Sequence, residues 1–186
     1  MTSPRANVWH RLGILELKGA GGEAVDLART LASHGVATLS PQVVDPAARR
    51  LETTASTGGQ RPRRIAIRAH GSVRAAVEVA EDNSVLTVAE RSRIMALCRR
   101  VLGLEVDLMP FYALVLGDPE LSWAAAGAGR MLRAPTVFED VVKTICTTNC
   151  SWSATVRMVT AIVESLGEAA ADGSRGFPSP VAMAEA

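Results

Sequence analysis

The apolar residues of this chain change their spacing once, near Thr87, and that change limits the folds open to it. Upstream, Ile65 and Ile67 alternate with Ala66 and Arg68, and Val73, Ala75, Val77 and Val79 alternate with Arg74, Ala76 and Glu78. Alternation puts successive side chains on opposite faces of an extended strand. The two runs therefore read as an antiparallel hairpin turning at Gly71, with one buried and one wet face. After Asn83 the spacing becomes helical: Thr87 and Glu90 are placed as a capping box, and Ile94, Cys98, Val101 and Leu102 recur on one face. A chain that is stranded first and helical afterwards belongs to the α+β class.

Shorter signals fill in the rest. Leu12 to Lys18 reads as a strand broken by Gly19, Gly21 and Gly22, and Asp26 caps a short helix reaching Ser33. Gly35 after His34 is read as a left-handed stop, with Val36 to Leu39 extended up to Pro41. Arg49 to Thr54 forms a further strand before the loop Ser56-Thr57-Gly58-Gly59-Gln60. Downstream, Asp107 and Asp118-Pro119 are placed as helix starts, the second helix ending at Gly127 and Gly129. Thr136 and Glu139, behind Pro135, are spaced as another capping box, and Val137, Val141 and Ile145 stack on one face of the helix they open. A tight turn at Thr147, Thr148 and Asn149 leads to a helix striped by Val156, Val159, Val163 and Leu166 and ending at Gly167. The predicted organisation is an antiparallel sheet part over 1–105 and a helical part over 106–186.

With 48% hydrophobic and 21% charged residues the chain has the composition of a folded protein. Aromatics are only 4%, so the core must be aliphatic, anchored by Trp9, Trp123, Trp152, Phe111 and Phe138. A net charge of +1 gives no chain-wide attraction for a polyanion, and any nucleic-acid contact has to be local. Lys18 and Lys143 are the only lysines; the other basic residues are arginines, whose planar fork suits phosphate. Three cysteines leave an odd thiol and no secretory leader is read at the start, which predicts a reducing cytoplasm. No apolar run approaches the roughly 20 residues that span a bilayer, so no membrane segment is expected.

Several reactive-looking residues have plain readings. Cys146 and Cys150 lie four apart, but a structural zinc site takes four ligands and no further His or Cys is near, so both are read as small buried hydrophobes. No metal and no cofactor are expected. No nucleophile–base pairing is assigned to His10, His34 or His70. Arg61, Arg63, Arg64 and Arg68 form the densest basic run and are read as a solvated strand edge.

One stretch carries a family likeness. Gly129-Arg130-Met131-Leu132-Arg133-Ala134-Pro135-Thr136-Val137-Phe138-Glu139, running into Thr144-Ile145-Cys146-Thr147-Thr148-Asn149, resembles the opening helices of the helix-hairpin-helix (HhH-GPD) DNA glycosylases, of both the 3-methyladenine (DNA glycosylase II) and the 8-oxoguanine type. Gly176-Phe177-Pro178-Ser179-Pro180-Val181-Ala182-Met183 is similar to a segment that comes after those helices, and Leu31-Ala32-Ser33-His34-Gly35 to one in the amino-terminal domain. The resemblance implies a curled, TBP-like antiparallel sheet and then the start of an all-α core. It also implies DNA base-excision repair: a damaged base in double-stranded DNA is flipped out and its N-glycosidic bond hydrolysed. Asn149 matches the position whose side chain fills the hole left by the flipped base, and Arg130 and Arg133 become candidates for positioning the pocket or the DNA backbone. Ala154 stands where the 8-oxoguanine enzymes carry the arginine that reads the opposite cytosine, which turns the expectation towards alkylated bases.

The family's glycine-rich hairpin and catalytic aspartate lie beyond a segment like Phe177 to Met183, and Asp140 and Asp172 fall in other segments. No catalytic residue is therefore assigned here, and the chain alone is expected to be inactive. Its helical part is expected to be incomplete and to self-associate through uncovered apolar surface. Two classes stay open: part of a repair enzyme, and a non-catalytic DNA-binding or scaffold module derived from one.

Overall fold

A computed structural model describes residues 8–58, 61–82 and 84–186. Gly59 and Gln60 of the predicted loop, and Asn83 at the change of spacing, lie outside the described residues. Strands β1 (Trp9–Glu16), β2 (Val43–Asp45), β3 (Arg50–Ala55), β4 (Arg63–Ala69) and β5 (Arg74–Ala80) form one antiparallel sheet in the order β1-β5-β4-β3-β2. The helices are α1 (Leu27–Leu31), α2 (Val88–Val101), α3 (Met109–Leu116), α4 (Val137–Cys146), α5 (Trp152–Leu166) and α6 (Pro180–Ala184). The α+β class predicted from the change of spacing is the observed one.

The predicted hairpin is β4 and β5, with Ile65 opposite Val79 and Ile67 opposite Val77. Gly71 turns it with φ +77°, a left-handed conformation that costs glycine little. Leu51, Ile67 and Val77 fall in one row across the sheet, and Ile94, Leu97, Cys98 and Val101 of α2 belong to the same core cluster. Both halves of the Thr87–Glu90 capping box form, fixing where α2 begins.

The other face of the sheet is not wet as expected. On β5, every residue from Ala75 to Ala80 is buried. The opposite row carries Glu52, Ala66 and Glu78, and arginines close over it: Arg68 donates to Glu78 at 2.6 Å, Arg50 to Glu52 at 2.7 Å, and Arg64 to Glu52 at 2.7 Å. Arg50 also lies 4.5 Å from the centroid of the Trp9 ring. Long side chains thus bury one another's stems while satisfying their charges. The predicted solvated edge is corrected by the same contacts for Arg63, Arg64 and Arg68, whereas Arg61, before β4, is exposed. Strand β4 is interior, Arg63 pairs with Asp82 and Glu90, and Arg64 and Arg68 belong to this arginine–glutamate layer.

Local expectations changed where distant contacts intervene. Residues Gly35–Thr38 form a 3-10 turn instead of an extended run. Ala32, not a left-handed glycine, closes α1. The segment is drawn inwards because His34 Nε2 donates to the Leu132 carbonyl at 2.7 Å and Ala37 and Leu39 are buried. Asp118 accepts from the amides of Glu120 and Leu121, yet the next element is a 3-10 helix, Ser122–Ala126, closed by Gly127 at φ +100°. Helix α3 starts at Met109, whose amide donates to the Asp107 carboxylate.

Helix α4 shows the largest departure. Thr136 Oγ1 accepts from the Glu139 amide, but the Glu139 carboxylate does not return to the cap and pairs instead with Lys143. Val137, Val141 and Ile145 do share a face, and that face is open to solvent at 78%, 50% and 61% exposure. The inward-facing positions are Glu139 and Lys143. In α5 half of the predicted stripe is buried: Val159 and Val163 face inward, whereas Val156 is exposed and Leu166 half-buried. Contacts join the stranded and helical parts: Arg130 to Glu23, Thr54 Oγ1 to Ser174 Oγ at 2.9 Å, and Lys143 Nζ to the Leu39 carbonyl at 3.0 Å. Among the described residues no helix is long and apolar enough to cross a membrane.

Candidate nucleic-acid interface

The α4–α5 turn is built from its own hydroxyl and thiol donors. A helix ends with backbone carbonyls that have no partner in the next turn. Here Thr147 Oγ1 donates to the Thr144 carbonyl at 2.7 Å and Thr148 Oγ1 to the Ile145 carbonyl at 2.7 Å. The Cys146 carbonyl takes both Thr155 Oγ1 at 2.9 Å and Cys150 Sγ at 3.0 Å. Ser151 then caps α5 by accepting from the Ala154 amide. With the flanking groups engaged, the chain reverses at Asn149, which is exposed and held at φ +54°. Asparagine is the non-glycine residue that visits this left-handed region most readily.

Cys150 beside it is exposed and Cys146 half-buried, so neither is the buried small hydrophobe expected. Burial and the neighbouring Cys150 push the Cys146 thiol up from its ordinary value, which keeps it protonated. Among the described residues no group of three or more His, Cys, Asp or Glu is placed to hold a metal ion.

The two candidate arginines fare differently. Arg133 is exposed and, among the described residues, is held through its backbone: its amide donates to the Val101 carbonyl at 2.9 Å and its carbonyl accepts from Gln42 Nε2 at 3.2 Å. Its guanidinium is thus left to solvent by a fixed main chain. Arg130 is 5% exposed and its guanidinium donates to Glu23 Oε1 and to the carbonyls of Gly103 and Val106. Burial alone would raise the Glu23 carboxyl, but its own amide, the Leu108 amide and Arg130 together hold it below its ordinary range. Arg130 accordingly shapes the segment before α4 from within and presents no charge outward.

Periodicity did not reveal Lys143 and Glu139 as a buried pair, although their spacing of four along a helix is the spacing that brings side chains together. Lys143 Nζ donates to Glu139 Oε1 at 2.6 Å, to the Leu39 carbonyl at 3.0 Å and to Gln42 Oε1 at 3.3 Å, with side-chain exposures of 0% and 2% for the pair. Phe177 covers it, its ring centroid 5.8 Å from Nζ, and itself meets Phe138 edge-on at 6.2 Å. Burial raises the Glu139 carboxyl and lowers the Lys143 ammonium from their ordinary values. These aromatics and Glu139 line a cavity of about 550 Å³ together with Pro135, Leu97 and Arg100. The chain matches no protein-family model and no curated protein.

Proposed function

We propose that the chain is a DNA-contacting part of a base-excision DNA glycosylase of the helix-hairpin-helix type, acting on damaged and most readily alkylated bases. The observation that carries this reading is the placement of Asn149. A short amide side chain sits exposed on a turn between two helices, in a backbone conformation fixed by bonds to its neighbours rather than by the side chain itself. Such a residue is free to enter a duplex, and the hole left by a flipped base offers it hydrogen-bonding base edges. Arg133, exposed on a backbone anchored to Val101 and Gln42, is suited to a flanking phosphate. Arg130, paired with Glu23 and bonded to the carbonyls of Gly103 and Val106, holds the segment before α4 from inside.

A second reading, a DNA-binding or scaffold module without excision, is favoured by the state of the nearby carboxylates. Glu139 is committed to Lys143, and Asp140 accepts from the Ala134 amide at 3.1 Å. The two readings share the DNA surface and part on chemistry. Fluorescence anisotropy with an abasic-site duplex and an undamaged duplex tests what they share. Asn149→Ala is expected to weaken the abasic complex by about tenfold, the equivalent of ~1.4 kcal/mol, while leaving the undamaged complex unchanged. Arg133→Ala is expected to weaken both. Equal affinity of wild type and Asn149→Ala for the abasic duplex would reduce Asn149 to an ordinary turn residue.

A further inference from the structure

A second feature lies away from this turn, where the loop after β3 meets the outer side of α2. Ser56, Thr57 and Gly58 form one wall of a cavity of about 320 Å³, and Arg93 and Arg100 of α2 form the other. The two arginines are seven residues apart, so two helical turns place them on the same side of α2. Both are exposed. Among the described residues Arg93 reaches the carbonyls of Thr57 and Gly58, at 3.5 and 3.4 Å, which are long contacts for a guanidinium with five donors.

The loop side is unusual in the opposite sense. Thr57 is 4% exposed and its Oγ1 has no hydrogen-bond partner among the described residues. Gly58 has φ +76°, and a side chain there would run into the Arg93 guanidinium. Glu105 is the acidic residue lining the cavity, leaving two cations against one carboxylate, with hydroxyls between.

We propose that this cavity binds a phosphate group, with Arg93 and Arg100 donating to its oxygens and the Ser56 hydroxyl beside them. The site shares Arg100 with the cavity beside Glu139, and it does not depend on the glycosylase reading. Arginine forks match the spacing of phosphate oxygens, and the volume is at the lower end of ligand pockets, suited to a single phosphate rather than a large organic molecule. The phosphate can come from a duplex backbone or from a small phosphorylated molecule, and the same residues would hold either.

The experiment is a calorimetric titration of the full chain with inorganic phosphate at constant ionic strength, with an undamaged duplex as competitor. Wild type is expected to bind phosphate saturably, and Arg93→Ala/Arg100→Ala to bind it at least ~10-fold more weakly, about 1.4 kcal/mol, with an unchanged circular dichroism spectrum. Glu105→Gln is expected to tighten binding, a gain that a merely structural role for these residues would not produce. If the duplex displaces phosphate, and the double variant's salt dependence of duplex binding is shallower by about one or two ions, the source is a nucleic-acid backbone. If the duplex leaves phosphate in place, the source is a small phosphorylated molecule. Absence of saturable phosphate binding by wild type, or equal binding by the double variant, overturns the proposal.

Discussion

Replacing Lys143 by methionine keeps most of the side-chain volume of the most deeply buried cation of the fold and removes its charge. The structure then leaves Glu139 with a carboxylate at 2% side-chain exposure, and leaves the Leu39 carbonyl and Gln42 Oε1 without the donor they share. Breaking a buried pair by deleting one partner costs about 3–5 kcal/mol, because the remaining charge has neither water nor counter-ion. For a chain of this length each kcal/mol moves Tm by roughly 2–4 °C, so a fall of about 6–20 °C is expected. The penalty should depend on pH in one direction. Burial already raises the Glu139 carboxyl, and removing Lys143 raises it further. The folded state then holds a proton that the unfolded chain releases, so stability falls as pH rises above the ordinary glutamate range. The deficit of Lys143→Met should therefore be large at neutral pH and shrink on acidification. The double variant Glu139→Leu/Lys143→Met, which removes both charges, should recover most of the loss. Thermal and urea unfolding across pH measures all of this. A loss under about 1 kcal/mol for Lys143→Met at neutral pH, or a double variant no better than the single, would refute the argument that the pair is dry and mutually dependent.

Three further outcomes rest on the arginine layer, the open face of α4 and the engaged carboxylates. Arg68, by its hydrogen bond, and Arg68 and Arg50, by their charge, hold the Glu78 carboxyl below its ordinary value despite burial. The stability this contributes is complete above the ordinary glutamate range and lost as pH falls through the depressed value; Glu78→Gln should therefore flatten the acid limb of an unfolding-versus-pH curve, and an unchanged limb would discount the arginine layer. The exposed face of Val137, Val141 and Ile145 should drive self-association, so Val141→Ser/Ile145→Ser should sediment as a smaller species than wild type at the same concentration. With Glu139 and Asp140 both engaged, the chain alone should release no 3-methyladenine, hypoxanthine or 8-oxoguanine from duplex DNA in a single-turnover assay, and measurable release would show that the chemistry resides in other residues.

Much of the fold was legible because its signals are local. Alternation at Ile65, Ile67, Val77 and Val79 located the central hairpin, and the Thr87–Glu90 box located the start of α2 to the residue. What failed was direction. Spacing says that Val137, Val141 and Ile145 share a face, and nothing in spacing says which way that face points; tertiary contacts to Leu39, Gln42 and Phe177 turned the opposite side inward. The Thr136–Glu139 pattern likewise looked like a complete capping box, because a glutamate at that position serves a cap or a lysine four residues on equally well. Asn149 was visible as a turn residue, and its exposure and left-handed backbone belong to the structure. Arg130 could be singled out by family likeness but not its burial, since its partner Glu23 lies 107 positions away. The cavity beside α2 had half a signal, a Ser-Thr-Gly loop, with the arginines of its other wall on a helix over thirty positions further along.

The Lys143 ammonium has consequences for how such a chain can change over generations. Its acceptors are divided between its own helix and the residues at 39 and 42, far upstream in the other part of the molecule. Exchanging the upstream part would leave Lys143 its carboxylate on the same helix but take away two neutral acceptors, and it would strand the charge of Arg130, whose partner Glu23 lies upstream. Recombination that shuffles helices between relatives would be punished at this joint, whereas substitutions on the open faces would pass. A helical part grafted onto a different sheet would therefore be expected to need new partners for Arg130 and Lys143.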